Sequence, residues 1–327
     1  MKKHILIIYA SVGLGHKVVA ENIGHALEEA DPNIEVKLLD ILQLYKGRLV
    51  GVSTAIYTFI IKKIPRLWGF FYVNKFFQKL ALPLRIPLAA RKAKKLYAFI
   101  EGLKPDLILS THPTGTALVS YLKKEKLYTN PLVTTFSDFH FQPFWVYPRV
   151  DHYLVMTEQQ KQEVKKFGFA DHVITVTGLP IHSVFLKKYN RPQVLKQYEL
   201  SPERPIILLM GGSRGWGVKR EDILALLAAD PKWQIVVVTG TDATLSGQLA
   251  GISKNLKIFS NWSNQELAKL FSIATILVTK PGGLTSGQAI VNALPMVLVH
   301  PLPTLEEMSG DYLTLVGVAI AARTVAQ

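Results

Sequence analysis

The sequence predicts an α/β chain of two doubly wound, Rossmann-like domains. Three observations carry that expectation. Short apolar runs alternate with amphipathic stretches, the pattern of parallel βαβ units. Two glycine loops, Gly13-Leu14-Gly15-His16 and Gly211 to Gly217, each follow the first apolar run of their half. The length of 327 residues also exceeds what one core usually fills. Residues 1–190 are read as an N-terminal domain and 191–327 as a C-terminal one, facing each other across a cleft.

Each element has its own warrant. His4–Tyr9 is a continuous apolar run ending in a glycine loop, so it reads as a first buried strand rather than a signal peptide. A helix follows from about Lys17 to Ala30, then the strand Ile34–Leu38. The next stretch is helical in character but broken at Pro65, Pro83 and Pro87. Leu107–Ser110, Leu132–Phe136, His152–Val155 and Val173–Val176 are further strands, with Thr111-His112-Pro113 closing the first of them as a loop. Gly178-Leu179-Pro180 breaks the pattern, and a polar stretch with Pro192, Pro202 and Pro205 joins the halves. The second series runs through the strand Ile206–Met210, a glycine loop, the helix Arg220–Ala229 and the strand Gln234–Val238, which ends in Thr239-Gly240-Thr241. Strand Leu256–Phe259, helix Asn264–Ile273, strand Ile276–Thr279, an apolar helical stretch, and strands Pro295–His300 and Ala319–Ala321 complete it.

Composition narrows the chemistry. The chain has no cysteine, which excludes a disulfide framework, a thiolate nucleophile and a cysteine metal site. A cytosolic compartment fits. The net charge is +14, and residues 44–104 hold 13 Lys/Arg against one acid, Glu101, a local +12. The rest then carries 38 − 13 = 25 basic and 24 − 1 = 23 acidic residues, only +2. Lys62, Lys63, Arg66 and Arg85 stand among Trp68, Phe70 and Phe71 in this segment. Cations interleaved with bulky apolar side chains fit an interfacial membrane face better than a nucleic-acid face. The alternative is a pair of core helices with solvated cationic faces. The longest uncharged run there, Leu49–Ile61, has 13 residues, short of the roughly 18–20 that span a bilayer.

Neither glycine loop is a complete dinucleotide fingerprint, and neither contains the P-loop pattern GxxxxGK[ST]. The run Lys280-Pro281-Gly282-Gly283-Leu284-Thr285-Ser286-Gly287-Gln288 is more specific. Its small residues expose backbone N–H groups at a helix start beside two hydroxyls, which suits a pyrophosphate bound without a metal. Lys280 adds charge there or serves as a structural lysine. His16, at a helix N-terminus above the sheet, suits a general base toward a hydroxyl, or a loop-capping role. His112 and His140 also follow strand-like runs, and Asp138 is the nearest carboxylate that could orient a base. No HExxH helix or DxD pair occurs.

ASVGLGH at 10–16, VTGLPI at 176–181, the GG-S-x-G-x-G loop at 211–217, TKPGGLT at 279–285 and PLPTLEE at 301–307 occur in this order. Together they resemble the bacterial processive diacylglycerol glucosyltransferases and plant monogalactosyldiacylglycerol synthases, with the peptidoglycan glycosyltransferase MurG a more distant relative. The resemblance implies the GT-B fold and an inverting, metal-independent hexose transfer from UDP-glucose or UDP-galactose to diacylglycerol. It implies peripheral attachment to anionic lipids on the cytoplasmic face of the cell membrane, with neither cofactor nor nucleic-acid partner. It assigns His16 as the base. Donor contacts fall to Gly211, Gly212, Ser213, Gly240, Phe259, Trp262, Lys280, Gly282, Gly283, Leu284, Thr285, Gln288 and Glu306. Acceptor and membrane contacts fall to Gly13, Gly15 and the basic aromatic segment.

The chain departs from the family pattern in places. Gln288 stands where relatives carry Glu, Leu305 replaces Gln in the P-G-Q-E run, Ser309 replaces Asn, and Ser11 occupies an Asp or Asn position. It also stops before the helix that in relatives crosses back to the first domain. Two other readings therefore stay open: a MurG-like transferase with another acceptor, and a catalytically impaired relative that binds nucleotide or membrane.

Overall fold

A computed structural model describes residues 2–11, 14–44, 69, 74, 93–212, 217–260 and 262–322. Gly13, Ser213 and the residues expected to form a membrane face, Lys62, Lys63, Arg66, Trp68, Phe70, Phe71 and Arg85, lie outside the described residues. The chain divides into two units, Met1–Pro180 and Ile181–Gln327. The division falls ahead of the sequence-based boundary at 190, for a packing reason. Phe185 meets Phe271 edge-on at 5.6 Å, and Arg191 Nη1 donates to the Ile273 carbonyl at 2.7 Å, so residues 181–190 belong with the second unit.

The first unit contains β1 (Lys3–Tyr9), α1 (Leu14–Ala30), β2 (Ile34–Asp40), β3 (Leu107–Ser110), α2 (Pro113–Lys124), β4 (Leu132–Thr135), β5 (His152–Val155), α3 (Glu158–Lys165) and β6 (Ile174–Val176). Its six strands are parallel in the order β2-β1-β3-β4-β5-β6. Alternation along a strand decides which helix each residue meets. Ile5, Ile7, Tyr9 and Leu109 pack with Ala20, Ile23 and Leu27 of α1. Ile8 and Ser110 face the opposite way, where Gly115 of α2 sits so close that a Cβ would lie 2.6 Å from Ser110 Oγ and 2.8 Å from Ile8 Cγ2. The sheet is thus covered on both faces, which is why its strands read as apolar runs.

The Thr111-His112-Pro113 stretch is not simply a loop. His112 N-caps α2, its Nδ1 accepting the Thr114 N–H at 3.1 Å, and Pro113 opens the helix. Strand β2 ends in Asp40, whose carboxylate takes the N–H groups of Ser11 at 3.3 Å and Leu42 at 3.0 Å.

The second unit contains α4 (Arg191–Gln197), β7 (Ile206–Met210), α5 (Arg220–Ala229), β8 (Gln234–Val238), α6 (Ala243–Leu249), β9 (Leu256–Phe259), α7 (Asn264–Ile273), β10 (Ile276–Thr279), α8 (Gly283–Val291), β11 (Met296–Leu298), α9 (Leu305–Leu315) and β12 (Ala319–Ala321). Its parallel order is β12-β11-β10-β7-β8-β9. Ile207, Leu209, Ile235 and Val237 pack beneath Ile223 of α5 and Leu245 and Leu249 of α6. Each fully buried side chain of this size contributes about 1.5–3 kcal/mol. Among the described residues no helix is long and apolar enough to cross a membrane.

Candidate functional site

In open parallel sheets, ligands collect beyond the carboxyl ends of the strands where the strand order reverses. The first unit reverses between β1 and β3, and the second between β7 and β10. The segments leaving those four strands carry His16, Thr111-His112, the glycine loop from Gly211 and Lys280.

His16 sits in the first turn of α1. Its Nδ1 lies 2.8 Å from the Thr111 carbonyl and 2.9 Å from Ser137 Oγ. A carbonyl oxygen only accepts, so Nδ1 carries the hydrogen and Nε2 is left with the lone pair. Thr111 Oγ1 in turn donates to the His16 carbonyl at 3.0 Å. Thr111 therefore holds both the backbone and the ring of His16. The orienting partner is this main-chain carbonyl, not the Asp138 carboxylate.

The ring lies edge-to-face with His112 at 4.7 Å, and Trp145 stands 6.0 Å away. Burial lowers the His16 pKa to about 4, the bond to Thr111 opposing it only partly. Burial, and then the neighbouring His16, hold His112 well below the ordinary histidine value. Both imidazoles are consequently neutral at physiological pH. His140 is buried, its carbonyl taking Gln160 Nε2 at 3.2 Å. Gly15, next to His16, has open space where a Cβ would stand.

In the second unit Gly212 and Gly217 lie against a lysine. A Cβ on Gly217 would lie 2.9 Å from Lys280 Cγ, and one on Gly212 (φ +75°) 3.1 Å from Lys280 Cε. Larger residues would expel the lysine stem, so the glycines serve this close approach. The Lys280 ammonium pairs with Glu306 Oε1, and Glu306 Oε2 accepts the Leu302 N–H at 2.8 Å. Lys280 and Glu306, two predicted donor residues, are thus each other's partners.

Helix α8 begins beside them, with Gly282 as its N-cap. The N–H groups of Gly283, Leu284 and Thr285 lie in its first turn, where no intrahelical carbonyl reaches them. Ser286 Oγ is buried with no hydrogen-bond partner among the described residues. Gln288, predicted to hold the ribose, is only 4% exposed on the inner side of α8. The side chain of Leu305 is not among those described.

Gly240 (φ +61°) closes β8 at the same edge of the sheet. Phe259 and Trp262 pack at 4.0 Å, with Tyr198 5.7 and 5.2 Å from them. Burial and then Glu266 push the Tyr198 pKa up to about 12, and its hydroxyl has no partner among the described residues. This aromatic cluster stands two strand spacings from β7, about 10 Å. Among the described residues no group of three or more His, Cys, Asp or Glu side chains could hold a metal ion.

Thr111, Ser137, Trp145 and Tyr198 were not singled out from the sequence. Only the Ser-Thr-His run after an apolar strand hinted at Thr111, because a main-chain acceptor carries no side-chain signature.

The family described as monogalactosyldiacylglycerol (MGDG) synthase matches residues 16–181. The processive diacylglycerol beta-glucosyltransferase of Bacillus cytotoxicus is 28% identical over 331 residues, covering 99% of this chain and 83% of that protein. Among solved structures, Acinetobacter baumannii MurG is similar with a TM-score of 0.58 at 14% identity, covering 100% of this chain and 88% of its own. The S. aureus MnaA–UDP co-structure gives a TM-score of 0.59 at 12% identity, covering 98% and 84%. The fold is GT-B, as the motifs implied.

Proposed function

This chain belongs to the monogalactosyldiacylglycerol synthase family, and on that premise we propose that it moves a hexose from a UDP-sugar to the hydroxyl of diacylglycerol, with inversion and without a metal, at a membrane surface. The single observation that supports the reading is the hydrogen bond between His16 Nδ1 and the Thr111 carbonyl. With Nδ1–H given to the Thr111 carbonyl, Nε2 is free to take a proton at the mouth of the first sheet.

In the proposed reaction the lipid hydroxyl oxygen forms a bond to the anomeric carbon from the face opposite the nucleotide. Its proton passes to His16 Nε2. The bond from the anomeric carbon to the phosphate oxygen breaks, and UDP departs with that electron pair. The first-turn N–H groups of α8, Lys280 and the waiting Ser286 hydroxyl are placed to stabilise the charge that develops on the diphosphate. Phe259 and Trp262 offer the uracil an aromatic surface, and Glu306 offers the sugar hydroxyls a carboxylate.

The test is UDP release and lipid product from vesicles containing diacylglycerol, with UDP-glucose or UDP-galactose as donor. One sugar is expected to give a glycolipid, and turnover is expected to rise with anionic lipid and fall with salt. That dependence follows from the local +12 charge, which acts over a Debye length of about 8 Å. Equal rates on neutral and anionic vesicles at low salt would remove the electrostatic part. A second reading, nucleotide binding without transfer, is favoured by Gln288 and Leu305 standing where relatives carry Glu and Gln. UDP binding with no product from either sugar would select it.

The pH profile offers an independent check. His16 loses its acceptor lone pair only near pH 4, so activity should be level through neutrality with an acid half-point near that value. A half-point between 6 and 7 would assign the base to another group. Stability follows the same shift. The unfolded histidine binds a proton below about 6.5 and the folded one only below about 4. Folding therefore strengthens as pH rises through that window and weakens as it falls.

A further inference from the structure

Asp222 is the third residue of α5, 5% exposed, and lies outside every predicted donor contact. Its Oδ2 accepts the Lys219 N–H at 2.9 Å, an ordinary cap for a helix start. It also meets His300 Nε2, 3.1 Å from Oδ1 and 2.8 Å from Oδ2, a link between residues 78 positions apart. A carboxylate only accepts, so Nε2 carries the hydrogen. Capping requires one acceptor and explains nothing of the second bond.

The backbone shows where that second bond acts. His300 has φ +46° and Thr304 has φ +72°, left-handed conformations that residues with a Cβ adopt only when their surroundings over-determine them. Between them Pro301-Leu302-Pro303 forms the turn that enters α9. The later part of the turn is held locally, with Leu302 N–H on Glu306 and Thr304 N–H on Glu307 Oε2 at 2.6 Å. The His300 bond instead reaches across the unit, to the helix that follows the glycine loop. It ties the segment that delivers Glu306 to the helix that follows Gly217, whose backbone lies against Lys280.

We propose that His300 is a positioning residue for the donor sugar: clamped to Asp222, it fixes the 300–304 turn against the glycine-loop side of the unit and so sets where Glu306 stands. The proposal rests on the reading of Lys280, Glu306 and the α8 N-terminus as the donor site. On that reading the diphosphate and uracil contacts come from the segments after β7, β9 and β10, which do not include the turn. Loosening His300 should therefore weaken recognition of the sugar without weakening that of the nucleotide.

The experiment compares the full-length wild type with His300→Ala, His300→Gln and Asp222→Asn, measuring donor KM and kcat on vesicles, UDP Kd by calorimetry, and melting temperature. His300→Ala should raise the UDP-sugar KM about tenfold while UDP binds no more weakly than to the wild type. His300→Gln should restore most of the KM, because its amide N–H reaches the place of Nε2. Should His300→Ala not fold, Asp222→Asn carries the test, with a smaller rise in KM and no weaker UDP binding. An unchanged KM in a folded His300→Ala protein overturns the proposal. So does a parallel loss of UDP and UDP-sugar affinity with no recovery by Gln, which marks a merely structural pair. A wild type that binds no UDP at all overturns the donor-site reading, and this inference with it.

Discussion

His16→Ala should abolish lipid glycosylation, by about 10²–10⁴-fold for loss of a general base, while UDP binds as to the wild type. The two effects separate because the residues involved belong to different units. His16 and its contacts Thr111, Ser137, His112 and Trp145 all lie within Met1–Pro180. The glycine loop, Lys280 and α8 all lie within Ile181–Gln327. His16→Asn is the sharper variant. Its amide nitrogen stands near the place of Nδ1 and can still donate to the Thr111 carbonyl, without a group that takes a proton. Product formation and UDP calorimetry on the same preparation decide the matter, and turnover at the wild-type rate in either variant would remove His16 from the base role.

Glu306→Gln should do something less intuitive: bind UDP more tightly and transfer sugar less. In the free protein the Glu306 carboxylate occupies the Lys280 ammonium, a pair with side chains only 14% and 20% exposed. A diphosphate that arrives must compete for that ammonium beside a like charge. At an effective dielectric of about 20, unit charges 4 Å apart interact by about 4 kcal/mol, and screening reduces that. A tenfold gain in UDP affinity, about 1.4 kcal/mol, is the expected size. Gln keeps an acceptor for the Leu302 N–H, so the turn survives. It loses the charged acceptor for sugar hydroxyls, and kcat/KM should fall about 10²-fold, roughly 2.7 kcal/mol. The free variant should melt lower, with Lys280 left unpaired, and gain more from saturating UDP than the wild type does. Thermal shifts with and without UDP measure both. Weaker UDP binding in Glu306→Gln would mean that the carboxylate does not compete with the diphosphate.

Much of the fold is legible in the sequence because a parallel sheet covered on both faces leaves uninterrupted apolar runs. Leu107–Ser110, His152–Val155, Ile206–Met210, Gln234–Val238 and Ile276–Thr279 are strands with the bounds their hydropathy suggests. Helix α2 is not legible. Its buried residues mix Leu118, Val119 and Leu122 with Gly115, Thr116, Ala117 and Ser120, and Gly115 lies close against Ile8 and Ser110, so small and polar residues dilute the apolar stripe that would announce it. His300 reads as the end of a strand, whereas β11 stops at Leu298 and the residue takes a left-handed conformation.

The candidate site divides in the same way. His16, Lys280 and the glycines are visible as residue types at strand ends. Their partners are not, since Thr111 acts through its carbonyl and Glu306 meets Lys280 across 26 positions. Gln288 was assigned from its place in a motif, and its burial was not visible in the sequence.

That carbonyl has a consequence for how this protein can change by descent. A base oriented by an aspartate can lose its orientation through one codon, whereas every amino acid at 111 supplies the same C=O. Replacing Thr111 with valine would remove only the hydroxyl bond to the His16 backbone, leaving the ring its acceptor. The tautomer of His16 is therefore inherited with the course of the chain, and side-chain mutation at position 111 alone does not erase it.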